Sequence, residues 1–537
     1  MVFAARQLAS DGVGIHKHTA HEDILSFAAS SVPWSSALRG LATRFGNRVA
    51  VTDQYGGQLT YARLDSLAHA LAARLRVEGL VSGCSVAVLL PNCVDAVWVS
   101  YGLRIAGAAE TPLNWGYTGD EIAWAATLAK FRLVVTCEER VEQVRGLGLE
   151  AALPETLLTP LPSGGSTVLS PIPSAAPGKV LFTSGTTGRP KGVVYSHGRR
   201  WIGEQLLKAT LPFVPTAGSR ILLVTPFPHG ASLLTYAWCD HGGEVLLMDG
   251  VEPERLRPLL ERSEVEAIFA PPTVLAKLSA SFGDRCFEGV RCVFTGTQPL
   301  GAVLYAKARD MFGPVVRVTY GKTECVNPIT VLSPAETQEY FEQSSNSPGA
   351  CVGWPAPGVE IEIRDGEVWL RAWQMSDGLL GPDGPIAHAE GGWHATGDLG
   401  HLDERGRLVL VGRVADVIKT GGYRVNPDEI ESCLAGLSDC TGVCVIGVPS
   451  DYWGEVIVAV AEQAGDEWAA EAEARVTALS KHKRPRLHVA VPALPRNPQG
   501  KISRKAVVRL LLETHEMVDG PYPRLIARLA PDRDAAG

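Results

Sequence analysis

The segment 183–191, which reads TSGTTGRPK, combines glycines, hydroxyl side chains and one lysine. Such residues leave gaps in a packed helix or a central strand. They suit a loop that offers backbone N–H groups, hydroxyl donors and a cation to an anion. We therefore predict that this loop holds the phosphates of a nucleotide. The predicted phosphate-binding residues are Thr183, Ser184, Gly185, Thr186, Thr187, Gly188 and Lys191.

This loop differs from the common P-loop, which ends in Gly-Lys-Ser/Thr and opens a helix. Here Pro190 precedes Lys191 and bars a regular helix at that point. Apolar runs at 180–182 and 193–195 flank the loop and predict a strand on each side. The loop is therefore expected to bridge two strands. A solvated surface lysine is the alternative interpretation of Lys191, and the composition of the loop disfavours it.

The composition is that of an ordinary soluble globular enzyme. The chain has 537 residues, of which 46% are hydrophobic and 20% charged, so we expect more than one domain. The net charge of −8 favours neither nucleic acid nor an anionic membrane as a partner. No charge-free apolar stretch reaches the roughly 20 residues of a membrane span, and no secretory signal is evident. These features, with eleven scattered cysteines, predict a cytoplasmic protein.

Strands and helices alternate through the first 300 residues, which predicts a large N-terminal α/β domain of doubly wound sheets. Thr60 is expected to cap a helix whose apolar residues recur at helical spacing over 64–75. From about residue 350, short strands with tight turns, one of them at 403–406, predict a small antiparallel barrel-like part. A small α+β C-terminal domain with a helix at 427–437 follows. Continuous apolar runs predict buried strands at 86–90, 133–136, 221–224 and 290–294.

Four further motifs follow the phosphate loop. They are 320–324 (YGKTE), 396–400 (TGDLG), 412–431, which contains KTGGYRVNPDEIE, and 495–505 (PRNPQGKISRK). Taken in this order, the five motifs resemble those of the adenylate-forming superfamily, which includes acyl- and aryl-CoA synthetases, luciferases and the adenylation domains of peptide synthetases. The resemblance extends from about residue 35 to residue 512. Each motif taken alone would favour an ordinary turn or surface role for its polar residue, namely Glu324, Asp398 or Lys501. The presence of all five motifs in the order of the family reverses that interpretation.

The resemblance implies that a carboxylate attacks the α-phosphorus of ATP to give an acyl-AMP and pyrophosphate. Lys501, Thr323 and Glu324 are the implied catalytic residues: Lys501 bridges the acid and the transferring phosphoryl group, and Glu324 binds Mg²⁺. Cations and oriented donors matter here because an anion must approach a polyanion. The residues implied for the rest of the nucleotide are Thr323 for the α-phosphate, Tyr320, Gly296, Thr297 and Gln298 around adenine, and Asp398 and Arg413 at the ribose.

The resemblance also implies a second step in which the acyl group passes to a thiol. The implied domains are an N-terminal AMP-binding domain over 1–413, a hinge over 414–416, a mobile C-terminal domain over 417–515 and a tail over 516–537. In the family the C-terminal domain rotates and presents a glycine pair beside which the pantetheine of CoA enters. Lys419, Gly421 and Gly422 are the implied residues of this path.

The predicted acid pocket contains His229, Thr297 and Gln298. The turn 296–299 reads GTQP where relatives commonly have Gly-Gly-Ala-Pro, so bulkier side chains should shorten the pocket and favour aryl or compact acids. Trp115, Trp238 and Trp354 could be pocket walls, although core packing is the expected role for most of them.

The favoured reaction is the ligation of a small carboxylic acid to CoA, with ATP and Mg²⁺. The alternatives are an amide synthetase with an amine acceptor, the loading of a carrier-protein thiol, and a degenerate relative that only binds nucleotide. The presence of Glu324, Asp398 and Lys501 disfavours the last of these.

Overall fold

Two large β-sheets dominate the N-terminal domain in the computed structural model, which describes residues 31–158, 171–183, 190–343, 349–496 and 501–528. In spatial order, the eight-stranded sheet contains Gly384–Ile386, Gly378–Gly381, Lys191–Ser196, Pro177–Thr183, Ala109–Pro112, Ser85–Leu89, Leu133–Thr136 and Glu150–Ala152. The thirteen-stranded sheet contains Val359–Arg364, Glu367–Ala372, His394–Leu402, Leu408–Arg413, Ala350–Pro355, Cys325–Leu332, Val316–Lys322, Cys292–Gly296, Ala267–Phe269, Arg220–Leu223, Glu244–Leu247, Val49–Asp53 and Gln58–Thr60.

Each large sheet joins a parallel part to an antiparallel part. Six neighbouring strands of the larger sheet, from Val49–Asp53 to Val316–Lys322, are parallel, and the strands from Cys325–Leu332 to Val359–Arg364 are antiparallel. The predicted doubly wound α/β class is therefore confirmed. The antiparallel strands predicted after residue 350 continue the larger sheet directly, and residues 403–406 turn the predicted hairpin.

Helices fill the layer between the sheets and cover their outer faces. Helix Val94–Ala106 is buried on nearly all sides and packs on helix Tyr61–Val77 so closely that a Cβ on Gly102 would lie 2.6 Å from Leu71. Both helices share one core with strands of both sheets. The other described α-helices are Trp34–Phe45, Gly119–Ala129, Glu138–Gly146, His197–Ala209, Ser232–Cys239, Pro253–Glu261, Pro272–Phe282, Ala302–Phe312, Pro334–Gln343, Pro427–Cys433, Trp468–Arg475 and Arg504–Thr514.

Local sequence explains where several of these helices begin and end. The Thr60 side chain accepts a hydrogen bond from the Arg63 backbone nitrogen, which confirms the predicted cap. Thr118 and Glu121 form a complete capping box at the start of helix Gly119–Ala129. Helix Pro427–Cys433 is one turn shorter than predicted, because its last residues give way to Gly436 in the left-handed region at φ +72°.

The C-terminal domain is built on a separate, smaller sheet. Its strands are Tyr423–Val425, Ile418–Thr420, Gly454–Glu462, Gly442–Ser450 and Leu487–Val491. A hairpin of His515–Val518 and Arg524–Ala527 packs Met517 and Leu525 against this domain, within the stretch predicted as a tail. Ser31–Val32 pairs with Ile172–Pro173. Across the described residues, no helix is both long and apolar enough to cross a bilayer.

Candidate active site

An antiparallel hairpin fixes both ends of the predicted phosphate loop. Strand Pro177–Thr183 pairs with strand Lys191–Ser196, and Thr183 lies opposite Lys191. The Trp124 indole nitrogen donates a hydrogen bond of 2.8 Å to the Pro190 carbonyl, which ties the hairpin to a neighbouring helix. The predicted strand on each side of this segment is confirmed. The predicted loop residues Ser184, Gly185, Thr186, Thr187 and Gly188 lie outside the described residues, so their phosphate-binding role stays a prediction.

Two residues predicted to surround the adenosine, Tyr320 and Arg413, meet at the carboxylate of a third, Asp398. We call the side chains around this carboxylate the Asp398 cluster. The Tyr320 hydroxyl donates to Asp398 Oδ2 at 2.5 Å, and Arg413 Nε donates to Asp398 Oδ1 at 3.2 Å. Burial, and then the neighbouring carboxylate, raise the pKa of Tyr320, so the phenol remains a donor. The Asp398 side chain is 8% exposed. The sheet therefore builds a shielded, well-oriented carboxylate from side chains that lie far apart in the sequence.

Lys501 reaches the N-terminal domain from the C-terminal domain. Its ammonium donates a hydrogen bond of 2.6 Å to the carbonyl of Thr297, in the turn predicted to line the adenine pocket. Thr297 has φ +68°, a left-handed conformation that is strained for a β-branched residue and orients this carbonyl. Burial, and then the nearby Arg413, lower the pKa of Lys501 to about 8. The structure thus brings the predicted adenylation lysine to the predicted nucleotide site.

Hydrogen bonds to its backbone carbonyls hold the turn that carries Thr323 and Glu324. The Tyr195 hydroxyl donates to the Thr323 carbonyl at 2.6 Å, so the strand after the phosphate loop supports this turn. The Ser376 backbone nitrogen donates to the Glu324 carbonyl at 2.8 Å. Both side chains are partly exposed. The turn that holds Thr323 and Glu324 is therefore fixed by hydrogen bonds from two other parts of the chain. Their roles toward the α-phosphate and Mg²⁺ stay predictions.

Sequence reasoning missed two residues of this cluster. Lys322 Nζ donates to the Thr396 carbonyl at 2.6 Å and to Asp398 Oδ2 at 3.2 Å. Burial lowers the pKa of His394 to about 4, against the influence of the Glu324 carboxylate, so its imidazole is neutral at physiological pH. Lys322 stands inside the 320–324 motif, and a cation at that position was a signal available from the sequence.

The predicted pantetheine residues lie on the small sheet of the C-terminal domain, on strand Ile418–Thr420 and in the turn that follows it. Gly421 and Gly422 have φ values of +55° and +82°, which glycine adopts without strain. The Gly421 backbone nitrogen donates to the Trp453 carbonyl at 2.8 Å, so the turn is held from within its own domain. Lys419 is exposed, and its backbone nitrogen donates to the Glu455 carboxylate at 2.6 Å.

The predicted acid pocket is described only in part. His229 belongs to a π-helix of one turn, Phe227–Ala231, and its side chain lies outside the described residues. This turn is anchored by Asn92, whose Oδ1 accepts from the Phe227 backbone nitrogen at 2.7 Å. Gln298 is partly exposed beside Thr297. Trp238 is completely buried with its ring against Phe294, as expected for core packing.

The other two tryptophans also have defined partners. The Trp354 indole nitrogen donates to Glu336 at 2.9 Å, and the Trp115 ring lies 4.6 Å from the Arg140 guanidinium.

Comparison with known proteins agrees with this arrangement. A family model described as AMP-binding enzyme matches residues 38–372, and one described as AMP-binding enzyme C-terminal domain matches residues 429–501. The 4-coumarate-CoA ligase 1 of Narcissus pseudonarcissus is 30% identical over 503 residues, which cover 86% of this chain and 90% of the relative.

Two solved structures share the fold. One is the o-succinylbenzoate CoA synthetase of Bacillus subtilis in complex with its acyl-adenylate intermediate, with a TM-score of 0.77 and 25% identity over 88% of this chain and 97% of that one. The other is the amide bond synthetase McbA of Marinactinospora thermotolerans, with a TM-score of 0.75 and 26% identity over 89% of this chain and 99% of that one.

The chain belongs to the AMP-binding enzyme family, since the first family model spans more than half of it. It is an adenylate-forming ligase, as the five motifs predicted.

Proposed function

We propose that this protein is an AMP-forming ligase that joins a compact or aryl carboxylic acid to CoA through an acyl-adenylate. The contact of Lys501 with the Thr297 carbonyl carries the adenylation half of this proposal, because it sets a cation from one domain into the nucleotide site of the other. An ammonium at that point can offset the charge that develops as the carboxylate attacks the α-phosphorus.

The side chains present fit ATP and Mg²⁺. Asp398 supplies a fixed acceptor for ribose hydroxyls, and Tyr320 lies beside it. Mg²⁺ commonly takes one or two carboxylates together with substrate phosphates, so Glu324 alone is a sufficient protein ligand. When held by Glu324, Mg²⁺ would partly neutralise the charge of the phosphates.

The proposed domain boundary lies directly after Leu408–Arg413, which is the last strand of the larger sheet in chain order. Strand Leu408–Arg413 ends at Arg413, whose side chain forms an ion pair with Asp398. The short helical turn Val414–Asp416 then leads to the first strand of the small domain. The Arg504 guanidinium of the small domain donates to Asp416 at 2.6 Å, so the end of this turn is held by the small domain. Residues 414–416 are the proposed hinge, with domains at 1–413 and 417–515.

A basic cavity on the C-terminal domain supports CoA as the acceptor. The cavity has a volume of about 290 Å³ and is lined by Lys481, Arg484, Pro485, Arg486, Pro521, Tyr522 and Pro523. The Arg486 guanidinium lies 3.6 Å from the centre of the Trp453 ring, and Trp453 also holds Gly421. Among the described residues Arg486 has no carboxylate in salt-bridge range, and burial lowers its pKa. These charges suit the phosphates of CoA, next to the predicted pantetheine path.

An amide synthetase remains the second candidate, because McbA is about as similar to this chain as the CoA synthetase structure is. An acyl-adenylate reacts with an amine as well as with a thiol. The two candidates differ in what the basic cavity must do: a small amine has no phosphates to bind, so loss of Arg486 would not affect it.

A pyrophosphate-release screen over a panel of acids, repeated with CoA, with amines and without an acceptor, tests the proposal. We expect an acid-dependent release and a CoA thioester as the product. Arg486→Gln should raise the KM for CoA at least severalfold without changing acid-dependent ATP–pyrophosphate exchange. Arg285→Gln, which removes an exposed arginine from the N-terminal domain, is the matched control. Amide formation without thioester would reject CoA as the acceptor, and no pyrophosphate with any acid would reject the ligase.

A further inference from the structure

Lys322 ties together two of the five motifs. It stands between Gly321 and Thr323 at the end of strand Val316–Lys322. Its side chain reaches strand His394–Leu402, which three other strands separate from its own strand in the order of the sheet. There it donates to the carbonyl of Thr396 at 2.6 Å and to Asp398 Oδ2 at 3.2 Å. Its side chain is 16% exposed and that of Asp398 is 8% exposed, so the pair is well shielded from water.

We propose that Lys322 is a positioning residue that fixes the orientation of the Asp398 carboxylate, so that its Oδ1 faces the ribose hydroxyls of the nucleotide. The inference rests on the proposed function, in which Asp398 binds the ribose. It assigns to Lys322 a part in nucleotide recognition that acts through Asp398 and involves no contact with the reacting atoms.

The two oxygens of the Asp398 carboxylate have different hydrogen-bond partners. Oδ2 accepts from both Tyr320 and Lys322, whereas among the described residues Oδ1 accepts only from Arg413, at 3.2 Å. Each carboxylate oxygen has about two acceptor sites, so Oδ2 is filled and Oδ1 keeps one site. The terminal torsion of an aspartate is broad and roughly two-fold. A two-fold flip only exchanges two equivalent oxygens, so a second donor on one of them acts by narrowing the range of this torsion, which keeps the other oxygen toward the ribose.

Charge adds a second consequence. Lys322, Arg413 and Lys501 bring three cations to the surroundings of a single carboxylate. Lys322 contributes to the lowered pKa of Lys501, behind burial and Arg413. Removing the Lys322 charge should therefore raise the pKa of Lys501 and move the alkaline limb of adenylation to higher pH.

A substrate-analogue cycle tests the proposal. ATP, 2′-deoxy-ATP and 3′-deoxy-ATP are compared in acid-dependent ATP–pyrophosphate exchange for the wild type, Lys322→Met and Lys322→Arg. The wild type should prefer ATP over at least one deoxy analogue by roughly tenfold or more in kcat/KM, the effect of a hydrogen bond to a charged group. In Lys322→Met this preference should shrink by roughly tenfold, because kcat/KM for ATP falls while kcat/KM for the analogue hardly changes. Lys322→Arg should restore part of it.

Controls separate this role from a general loss of stability. Lys277→Met, on the exposed side of helix Pro272–Phe282, should leave the preference unchanged. If Lys322→Met does not fold, Lys322→Gln carries the same test. Equal losses for ATP and both analogues in a folded variant would overturn the positioning role. A wild type that does not distinguish the analogues would instead overturn the assignment of Asp398 to the ribose, and this inference with it.

Discussion

Replacement of Lys501 by alanine should separate the two half-reactions. In the structure its ammonium lies 2.6 Å from the Thr297 carbonyl and shares its surroundings with Arg413, Asp398 and Lys322. The charge is therefore held in place before the substrates bind. Its value is greatest when the carboxylate attacks the α-phosphorus, because negative charge concentrates there in the transition state. Transfer of an acyl group from a finished adenylate to a thiol does not need it.

The expected magnitude follows from this geometry. Loss of one preorganised donor at a developing charge costs about 10²–10³-fold in kcat, or about 2.7–4 kcal/mol. The wild type should also show a pH signature, because only the ammonium form is active and its pKa is about 8. The ammonium fraction falls from about 0.9 at pH 7 to about 0.1 at pH 9, so adenylation should slow about tenfold over that range. A lysine with the ordinary pKa of 10.5 would give an almost flat profile there.

Both half-reactions can be measured on the same preparation. Acid-dependent ATP–pyrophosphate exchange reports adenylation, and thioester formation from supplied acyl-AMP and CoA reports transfer. Lys501→Ala should lose the first and keep the second. Lys505→Ala, an exposed lysine on the following helix, is the matched control and should keep both. Equal loss of both half-reactions, or a wild-type exchange rate that stays flat from pH 7 to 9, would refute the reasoning.

Three further predictions concern the acceptor path, the acid and the core. Gly422→Trp should spare pyrophosphate exchange and block thioester formation, because an indole would fill the predicted pantetheine path; a normal thioester yield would contradict this. Palmitate should be a much poorer substrate than the best aryl or compact acid in the pyrophosphate-release assay, and equal turnover would remove the case for a short pocket. Glu204→Leu should lower the free energy of unfolding by about 3–5 kcal/mol in chemical denaturation, since Arg104 would be left charged in a site where both side chains are under 5% exposed. Exposed Glu142→Leu should change it little, and a similar loss in both variants would argue against the buried pair.

Local rules explain why much of the fold could be predicted. Thr60 caps its helix as expected, and the apolar runs form buried strands, because caps and hydrophobic periodicity depend on residues a few positions apart. The end of helix Pro427–Cys433 was predicted one turn late. The conformation of Gly436 decides it, and apolar spacing does not report that conformation.

The candidate active site also divides into features that local sequence predicts and features that only the folded structure decides. The order of five motifs was enough to identify the family and to nominate Tyr320, Asp398 and Lys501, because each motif carries its chemistry within a few residues. It could not indicate that Lys322 turns toward Asp398, 76 positions away, since that depends on how the folded chain brings together two strands that are not neighbours in the sheet. The cavity around Arg486 was equally hidden, because residues 521–523 complete it from a hairpin beyond the motifs.

The amino-acid sequence alone therefore established the class of reaction, the alternation of strands and helices, and the residue types that the chemistry needs. Folding decided which charges meet: Lys322 with Asp398, Lys501 with the Thr297 carbonyl and Arg104 with Glu204, across 76, 204 and 100 positions. The physical reason is one of range. Backbone preferences act within a turn or two of chain, whereas the strength of an ionic contact depends on the distance and shielding that the packed sheets and helices create.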